Sequence, residues 1–298
     1  MNKIIDGIIT LQSPLIHGAD EKMGVDTKFR RLAYIVDGAV EWIPTVSGNS
    51  IRGVMRRLIA NDFIQRLGMD KTGISDKIYY MFFSGGALEK GSIISGIDVG
   101  ARREFREKIP FMSIFGGSVG NQIMAGKMIV DNAVPTCKET SINTGIESSL
   151  SYWDLLQEIY LTRRDDLEDK EATKNATQMK YSMECLHTGV RLKHGFTLMN
   201  CNDVETACFY QALYLWIQDG YLGGKSSIGM GKFSAEYTNR GDVQLYLDYV
   251  EQNKVVLAEY VRKIDGGHIK EMMKATQPKK KGKEKLPLQN EWLDNDGE

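Results

Sequence analysis

One segment near the carboxyl-terminal third of the chain combines residue types that suit an anionic ligand. Residues 223–232 (GGKSSIGMGK) contain four glycines, two lysines and two serines. Glycine lets backbone N–H groups approach an anion without obstruction, lysine adds positive charge and serine adds hydroxyl donors. The composition predicts contacts with a phosphodiester backbone. A plain glycine-rich connection is the alternative.

Two better-known phosphate-binding motifs do not fit this segment. A P-loop needs a glycine five positions before the glycine of its Gly-Lys pair, and this chain has Asp219 there. A P-loop also lies between a strand and a following helix, whereas a helix-like apolar stretch precedes these glycines. A dinucleotide-binding Gly-x-Gly-x-x-Gly would need glycine at position 234, which is Ser234. Neither a nucleotide-hydrolysing nor a dinucleotide-binding site is therefore expected.

A second segment, residues 43–53 (IPTVSGNSIRG), leads into the clearest predicted helix. From Ile51 onward, apolar residues recur at the i, i+3, i+4, i+7 and i+8 spacing of an amphipathic helix. Helix N-termini favour phosphate because their first N–H groups lack intrahelical partners. The capable N-caps are Ser47, Asn49 and Ser50.

Three arginines follow on the same predicted helix. Arg52, Arg56 and Arg57 fall mostly off the apolar stripe, so we expect them to face solvent or a partner. Guanidinium groups donate two parallel hydrogen bonds to phosphate, which predicts a phosphate-binding role. An ordinary capped helix with a solvated arginine face is the alternative.

The other residues of catalytic type form no recognisable set. His17 is interpreted as a hydrogen-bonding loop residue, with a phosphate contact or a general base as the alternatives. Four cysteines lack CxxC spacing, which predicts reduced thiols in a cytosolic protein and no zinc site. They are Cys137, Cys185, Cys201 and Cys208. No Ser-His-Asp, Cys-His or metal-ligand pattern is visible, so we expect no cofactor.

The elements that must position these segments alternate in a simple order. Leaving the insertions aside, the pattern predicts strand, helix, strand, strand, helix, strand, which is the ferredoxin-like or RRM-like split βαβ plan of an α+β fold. Residues 32–36 and 40–43 flank Asp37-Gly38, a strong hairpin signal. The predicted strands are 3–12, 128–130, 189–199 and 233–237, and the predicted helices are 45–67 and 203–218.

We expect one palm domain over residues 1–240 that carries long insertions. Residues 13–24 are predicted as a loop, 68–127 as an irregular or helical insertion, and 158–188 as a charged, aperiodic arm. Residues 241–298 form a C-terminal extension with a polar, disordered tail from about 276. Its lysine run (KKKGKEK) is typical of a solvated tail, and nucleic-acid binding is the alternative.

Length and composition limit the classes of protein to which this chain can belong. The chain has 298 residues, 38 Lys+Arg against 39 Asp+Glu and 42% apolar residues, a normal globular balance. No run approaches ~18 uninterrupted apolar residues, and the N-terminus lacks a signal-peptide core, so a cytoplasmic location is expected. A net charge of −1 argues against binding polyanions over the whole surface, although it permits a local basic groove.

Taken together, these segments resemble the RAMP superfamily of CRISPR-associated proteins. The family's "IPGSS-(L/I)-(K/R)-G-x-x-R" element is similar to IPTVSGNSIRGVMRR here, and its late "GG-x-x-S-x-G-x-G" loop is similar to GGKSSIGMGKF. The opening ITLQSPLIHG and the turn Phe115-Gly116-Gly117 extend the resemblance over residues 3–237. The form SGNSIRG, preceded by HGADEK and FRR, is most similar to the backbone subunit of type IV systems.

The resemblance implies a protein that polymerises along a CRISPR guide RNA (crRNA) in a helical stack, with other effector subunits and complementary target DNA (or RNA) as partners. It implies that the arm is a "thumb" that kinks the strand. Met179, Tyr181 and Met183 would then wedge at the kink, with hairpin packing as the alternative. Arg30 and Arg31 of the palm hairpin are plausible additional contacts. The RNA-binding residues expected in all are Ser47, Gly48, Asn49, Ser50, Arg52, Arg56, Arg57, Gly223, Gly224, Lys225, Ser226, Ser227, Gly229, Gly231, Lys232, His17, Arg30 and Arg31.

The expected function is binding and scaffolding without catalysis. In type III relatives, an aspartate before the IPG element supports metal-assisted cleavage of target RNA, and Asp26 falls at about that place. A lone carboxylate is a weak basis for metal hydrolysis, which normally uses several convergent ligands. A metal-dependent endoribonuclease acting through Asp26 is therefore the alternative function.

Overall fold

The computed structural model describes residues 2–23, 26–86, 99–119, 122–163, 179–239 and 241–265. The strands are β1 (Lys3–Leu11), β2 (Gly18–Met23), β3 (Asp26–Phe29), β4 (Arg31–Val36), β5 (Ala39–Pro44), β6 (Gly117–Val119), β7 (Gln122–Met124), β8 (Met128–Val130), β9 (Val134–Pro135), β10 (Leu156–Arg163), β11 (Met179–Leu186), β12 (Arg191–Leu198) and β13 (Phe233–Tyr237). The helices are α1 (Gly48–Arg66), α2 (Asp76–Tyr79), α3 (Val99–Lys108), α4 (Pro110–Phe115), α5 (Ser141–Thr144), α6 (Asp203–Asp219), α7 (Gln244–Gln252) and α8 (Lys254–Lys263).

The palm is a sheet with strand order β13-β1-β12-β8, in which each neighbouring pair is antiparallel. The short β9 also pairs with β12. Helix α1 connects β1 toward β8 and α6 connects β12 to β13, and the two helices pack against each other. The expected ferredoxin-like α+β order is thereby confirmed.

The core of the palm follows from the periodicity of its elements. In β1, residues Ile5, Ile9 and Leu11 are buried while Ile4 is 63% exposed, as expected for alternating faces of a strand. Helix α1 buries Ile51, Met55, Ile59 and Phe63, and α6 buries Phe209 and Trp216 in the same cluster. Both helices therefore cover one face of the sheet, and the other face is open.

The predicted hairpin is confirmed as β4–β5, paired from Arg31↔Pro44 to Val36↔Ala39. Asp37 and Gly38 have φ values of 49° and 82°, the left-handed pair that a two-residue hairpin turn requires. The second strand of this hairpin, β5, ends at Pro44, three residues before Ser47, the N-cap of α1.

The loop predicted at 13–24 is partly wrong, because β2 forms there. With β3, it joins β10 and β11 in a second sheet of order β10-β11-β3-β2. The sequence of β2, GADEKM, has no apolar alternation, so tertiary pairing decides its conformation. The arm is a hairpin, since β10 and β11 pair from Leu156↔Leu186 to Arg163↔Met179; residues 164–178 lie outside the described part of the chain.

The remaining segments pack as helices and short hairpins. The insertion predicted at 68–127 contains α2, α3, α4 and the β6–β7 hairpin, and α4 packs on α6. After residue 240, α7 packs on α6 and buries Tyr246 and Val250. The lysine run and the polar tail predicted from about 276 lie outside the described residues.

Candidate nucleic-acid interface

The short segment between β1 and β2, residues 14–17, is the point where the candidate site is assembled. Leu15 exchanges two backbone hydrogen bonds with Leu186 at the base of the β10–β11 hairpin, at 3.0 and 2.9 Å. The N–H groups of Gly231 and Gly224 donate to the carbonyl oxygens of Pro14 and Ile16, at 2.8 and 2.9 Å. Four residues thus attach both the thumb hairpin (β10–β11) and the glycine loop (residues 223–232) to the end of β1.

His17 connects the same segment to helix α1. Its Nε2 accepts a hydrogen bond from the backbone N–H of Ser47 at 3.2 Å, and its carbonyl oxygen accepts one from Arg30 N–H at 2.8 Å. The ring also lies edge-on to Phe29. His17 therefore acts as the hydrogen-bonding residue expected from the sequence, and it brings the two predicted motifs to one region.

The glycines of the loop serve two different purposes. A Cβ on Gly223 would collide with the carbonyl oxygen of Ile16, and one on Gly231 with that of Leu222, so these two glycines permit close backbone packing. Gly224 and Gly229 have open space around them, and residues 224–229 are exposed. The loop therefore has a packed base and an exposed tip of Lys225, Ser226 and Ser227.

The prediction of unpaired N–H groups at the N-terminus of α1 is wrong. Gly48 N–H donates to Asn132 Oδ1 at 3.0 Å, and Asn49 N–H donates to Ser47 Oγ at 3.2 Å. Ser50 N–H is taken by the carbonyl oxygen of Ser47 at 3.0 Å. The helix dipole and the exposed side chain of Asn49 remain available to an anion, but these backbone donors are used within the protein.

Asn132 is a site residue that the sequence analysis missed. It lies two residues after the end of β8, and Val46 and Ala133 exchange backbone hydrogen bonds of 3.0 and 2.9 Å beside it. Gly48 packs so tightly on this segment that a Cβ would collide with the carbonyl oxygen of Val130. The turn after β8 therefore holds the start of α1, and the only sequence signal was an Asp-Asn pair at a strand end.

The arginines of α1 divide into an internal pair and one exposed residue. Arg56 is 7% exposed and donates to the carbonyl oxygens of Gly116 and Phe115, both at 2.8 Å. Arg52 also donates to Phe115 O. Desolvation, followed by repulsion from Arg52, lowers the pKa of Arg56 to about 10. The expectation that all three face solvent or a partner is wrong for Arg56, because the Phe115-Gly116 turn presents carbonyls to it; Arg57 is exposed.

Arg31 joins the palm hairpin to the thumb hairpin. Its guanidinium lies 2.6 Å from Glu184 Oε1 and stacks over the Trp153 ring at 5.2 Å. Glu184 Oε2 also accepts from Phe29 N–H at 2.8 Å. The Arg31 side chain is therefore used in contacts within the chain. Arg30 contributes its backbone, since its carbonyl accepts from Thr45 N–H at 2.9 Å.

One face of the thumb hairpin packs against the glycine loop. Met183 is 7% exposed in a cluster with Ile16 and Cys185, with Met230 packed beside it. Lys225 Nζ lies 5.7 Å from the centre of the Tyr181 ring. Met183 therefore follows the packing alternative, whereas Tyr181 is half-buried next to the exposed lysine. The side chain of Met179 lies outside the described residues.

The open face of the palm sheet carries the Asp6 and Asp131 carboxylates, with Lys193 Nζ 3.4 Å from Asp6 Oδ1. Asp6 pairs with Gly195 across the strands, and the Asp131 carboxylate lies beside the same glycine. Burial, and then repulsion from Asp6, raises the pKa of Asp131. RRM domains read RNA with aromatic side chains on this face. Because this face carries carboxylates, the region around residues 14–17 is the better candidate for the RNA interface.

Among the described side chains, no group of three or more His, Cys, Asp or Glu residues is placed to hold a metal ion. Asp26 begins β3, and its side chain lies outside the described set. Buried His194 bonds through Nδ1 to Tyr237 Oη at 2.8 Å, and burial lowers its pKa to about 3. Within the same residues, no helix is long and apolar enough to cross a membrane.

Comparison with known proteins agrees with this architecture. The family model described as "RAMP superfamily" matches residues 9–234, and the chain belongs to that superfamily. Among solved structures, 218 chains match; one, from a structure described as "Type IV-B CRISPR Complex", has a TM-score of 0.60 and 22% identity over 80% of this chain and 93% of that chain. At this identity the likeness shows a shared fold. No curated protein sequence matches.

Proposed function

We propose that this protein is a crRNA-binding backbone subunit of a CRISPR effector ribonucleoprotein. Copies would stack along the guide RNA beside other CRISPR subunits and present the guide for pairing with target DNA. Membership in the RAMP superfamily and the fold shared with a chain of a type IV-B CRISPR complex support this proposal. Base pairing would supply sequence specificity while the protein contacts the backbone.

The observation that carries the proposal is the convergence on residues 14–17. The glycine loop bonds to Pro14 and Ile16, the thumb hairpin bonds to Leu15, and the start of α1 bonds to His17. Two segments separated by more than 170 positions in sequence thereby meet at one place. Such a surface suits a strand that passes from one element to the next.

The exposed groups of this surface match a polyanion. Lys225 and Lys232 are exposed on the loop. Serine hydroxyls and open glycine positions lie between the lysines. Because the whole chain carries a net charge of −1, binding would depend on this local concentration of cations and would weaken with salt.

The first test is whether protein purified from its native complex carries nucleic acid. A high ratio of absorbance at 260 to 280 nm, abolished by ribonuclease but not deoxyribonuclease, is expected. For purified chain with added single-stranded RNA, Lys225→Ala should weaken binding several-fold for all sequences and reduce the salt slope by about one. Lys263→Ala, an exposed lysine at the end of α8, is the matched control. Equal affinities for Lys225→Ala and the control would contradict the assignment.

The scaffold proposal is separated from the ribonuclease alternative by one assay. The assembled complex is given Mg²⁺ or Mn²⁺ and labelled complementary RNA, and we expect the label to stay intact. A ladder of regularly spaced fragments that disappears in Asp26→Ala would overturn the non-enzymatic part of the proposal. Glu259→Ala, an exposed carboxylate on α8, is a control outside that segment.

A further inference from the structure

Lys225 holds a backbone conformation that a lysine seldom adopts. Its φ of 64° and ψ of 29° lie in the left-handed region, which costs free energy for residues other than glycine because their Cβ comes close to a backbone carbonyl oxygen. The other described residues that combine a side chain with positive φ are Asp37 and Asn200, whose short polar side chains tolerate this region. Lysine has no such advantage.

The glycine loop requires this conformation at position 225 but does not require a lysine. The Lys225 carbonyl oxygen accepts from Ile228 N–H at 3.1 Å and from Met230 N–H at 3.3 Å, so the backbone at 225 closes the tip of the loop. Three glycines of the same loop also have positive φ: Gly223, Gly229 and Gly231. A further glycine would fit at position 225, which indicates that the lysine is there for its side chain.

The Lys225 side chain is held against the thumb hairpin by an aromatic ring. Its Nζ lies over the Tyr181 ring, 5.7 Å from the ring centre, within the range at which the negative face of a ring attracts a cation. Tyr181 pairs with Leu161 across the strands and packs with the small cluster around Ile16 and Met183. Packing therefore fixes the ring, and the ring orients the lysine.

This contact orients the ammonium group without neutralising it. Other cations of the described chain are paired with carboxylates: Arg31 with Glu184, Lys127 with Glu205, and Lys193 with Asp6. A carboxylate cancels the positive charge, whereas a tyrosine ring has no net charge. The charge of the exposed Lys225 therefore remains available to an anion, next to the exposed Ser226 and Ser227.

An oriented lysine binds an anion at a smaller entropic cost than a freely rotating one. Immobilising a long side chain at an interface lowers affinity by roughly two- to tenfold. The Tyr181 ring restricts Lys225 before a ligand arrives, so part of this loss is avoided. The ring and the lysine together would then bind phosphate more tightly than the lysine alone.

We propose that Tyr181 is a positioning residue, which holds the Lys225 ammonium where it meets a phosphate of the bound RNA, and that the left-handed backbone at 225 directs this side chain toward the thumb hairpin. The ring acts through the lysine and not as a wedge between bases. For the identity of its ligand, the inference rests on the proposed function. It adds the contact by which the thumb hairpin and the glycine loop form one phosphate site.

The test is a double-mutant cycle on the binding of single-stranded RNA by the full-length chain, measured by fluorescence anisotropy. Tyr181→Leu keeps an apolar side chain in the cluster but removes the ring, and it should weaken binding about threefold. Tyr181→Phe retains the ring and should rescue the affinity. In a Lys225→Ala background, Tyr181→Leu should have no further effect, whereas in a Lys232→Ala background its full effect should persist.

The matched control is Tyr160→Leu. Tyr160 lies on the opposite face of the same hairpin, since side chains alternate along a strand, and it is 75% exposed. This variant should bind RNA as the wild type does. Tyr181→Met is a second variant without a ring, to be used if circular dichroism shows that Tyr181→Leu folds poorly.

Other results of the cycle would overturn the inference. An equal loss from Tyr181→Leu in the wild-type and Lys225→Ala backgrounds would mean that the ring contacts RNA directly, as a wedge does. A loss in Tyr181→Phe as large as that in Tyr181→Leu would assign the effect to the hydroxyl group. Unchanged binding by Tyr181→Leu would show that the ring does not position the lysine.

The backbone part of the inference is tested without RNA. Lys225→Gly relieves the strain of the left-handed region and should raise the urea midpoint of unfolding, whereas Lys225→Ala keeps that strain and should not. Both variants lack the ammonium and should weaken RNA binding to a similar extent. Lower stability of Lys225→Gly than of Lys225→Ala would overturn this part.

The outcomes separate this inference from the proposed function. Wild-type protein that does not bind single-stranded RNA would contradict the proposed function and, with it, the ligand named here. RNA binding that is intact but shows no coupling between Tyr181 and Lys225 would overturn the inference alone. Coupling confined to this pair, together with the greater stability of Lys225→Gly, is the result that we expect.

Discussion

At the scale of single residues, the arginines of α1 show how one motif divides between structure and contact. Arg56 ends among the carbonyls of Phe115 and Gly116, and Arg57, its neighbour, is exposed. Adjacent helical positions differ by about 100°, so one can point into the molecule while the next points out. A resemblance to a family motif does not by itself distinguish the two roles.

The buried position of Arg56 predicts a large effect on stability. Arg56→Ala leaves the Gly116 carbonyl without its donor, while Phe115 O keeps the donor from Arg52, and the unpaired carbonyl costs about 1–3 kcal/mol of unfolding free energy. Arg57→Ala should change it by less than about 0.5 kcal/mol. Urea denaturation followed by fluorescence measures both values. Equal, small losses for the two variants would contradict the internal role of Arg56.

His194 predicts how stability depends on pH. Because burial lowers the folded-state pKa to about 3, against ~6.5 in the unfolded chain, the unfolded state binds the proton more readily between these values. The contribution of His194 to the free energy of unfolding is fully present above about pH 6.5. It falls by up to ~1.4 kcal/mol per pH unit as the pH decreases toward 3.

Comparison with His194→Phe isolates this contribution from that of the carboxylates. The variant should be less stable at pH 7, because Tyr237 Oη loses its partner. Its unfolding free energy should nevertheless fall less steeply between pH 6.5 and 4.5 than that of the wild type. Parallel curves in urea titrations at each pH would show that His194 is protonated in the folded protein too.

At the scale of elements, polar contacts add to apolar packing where the thumb hairpin joins the palm. Glu184 accepts from Phe29 N–H and from Arg31, and Leu186 pairs with Leu15. A hairpin anchored in this way can open locally while the palm stays folded. The anchor also positions Tyr181 against Lys225 of the glycine loop.

Removing that anchor should loosen the hairpin selectively. In Glu184→Ala, amide hydrogen exchange of β10 and β11 should accelerate about tenfold or more, while β1 and β12 keep their protection. Glu158→Ala, the cross-strand neighbour with a longer, more exposed ion pair, should have a smaller effect. Uniform acceleration across the palm would indicate global destabilisation instead.

At the scale of the whole molecule, periodicity was sufficient for the palm but not for its attachments. Alternation in β1 and the apolar stripe of α1 predict their own burial, and the Asp37-Gly38 pair predicts its turn. The strands β2 and β3 carry no such signal, because β2 pairs with β3 and β3 in turn pairs with β11, about 150 residues away. The same reason hides Asn132: its partner, Gly48, lies 84 positions earlier.

The candidate site follows the same division. The glycine loop and the start of α1 were recognisable from composition, but their meeting place depends on the backbone of residues 14–17, whose side chains gave little indication. Composition also predicted helix N–H groups available to phosphate, and the fold supplies His17 and Asn132 as acceptors for them. Local sequence cannot register acceptors brought in by other elements.

The backbone of residues 14–17 has one more consequence. Since its carbonyl and amide groups bond to the glycine loop, to Leu186 of the thumb hairpin and to Arg30 beside the palm hairpin, adding or deleting a single amino acid there would displace all three contacts together. Point changes at Pro14 or Ile16 would be milder, because carbonyl oxygens belong to every residue type. The number of residues in this segment is therefore more constrained than the identity of their side chains.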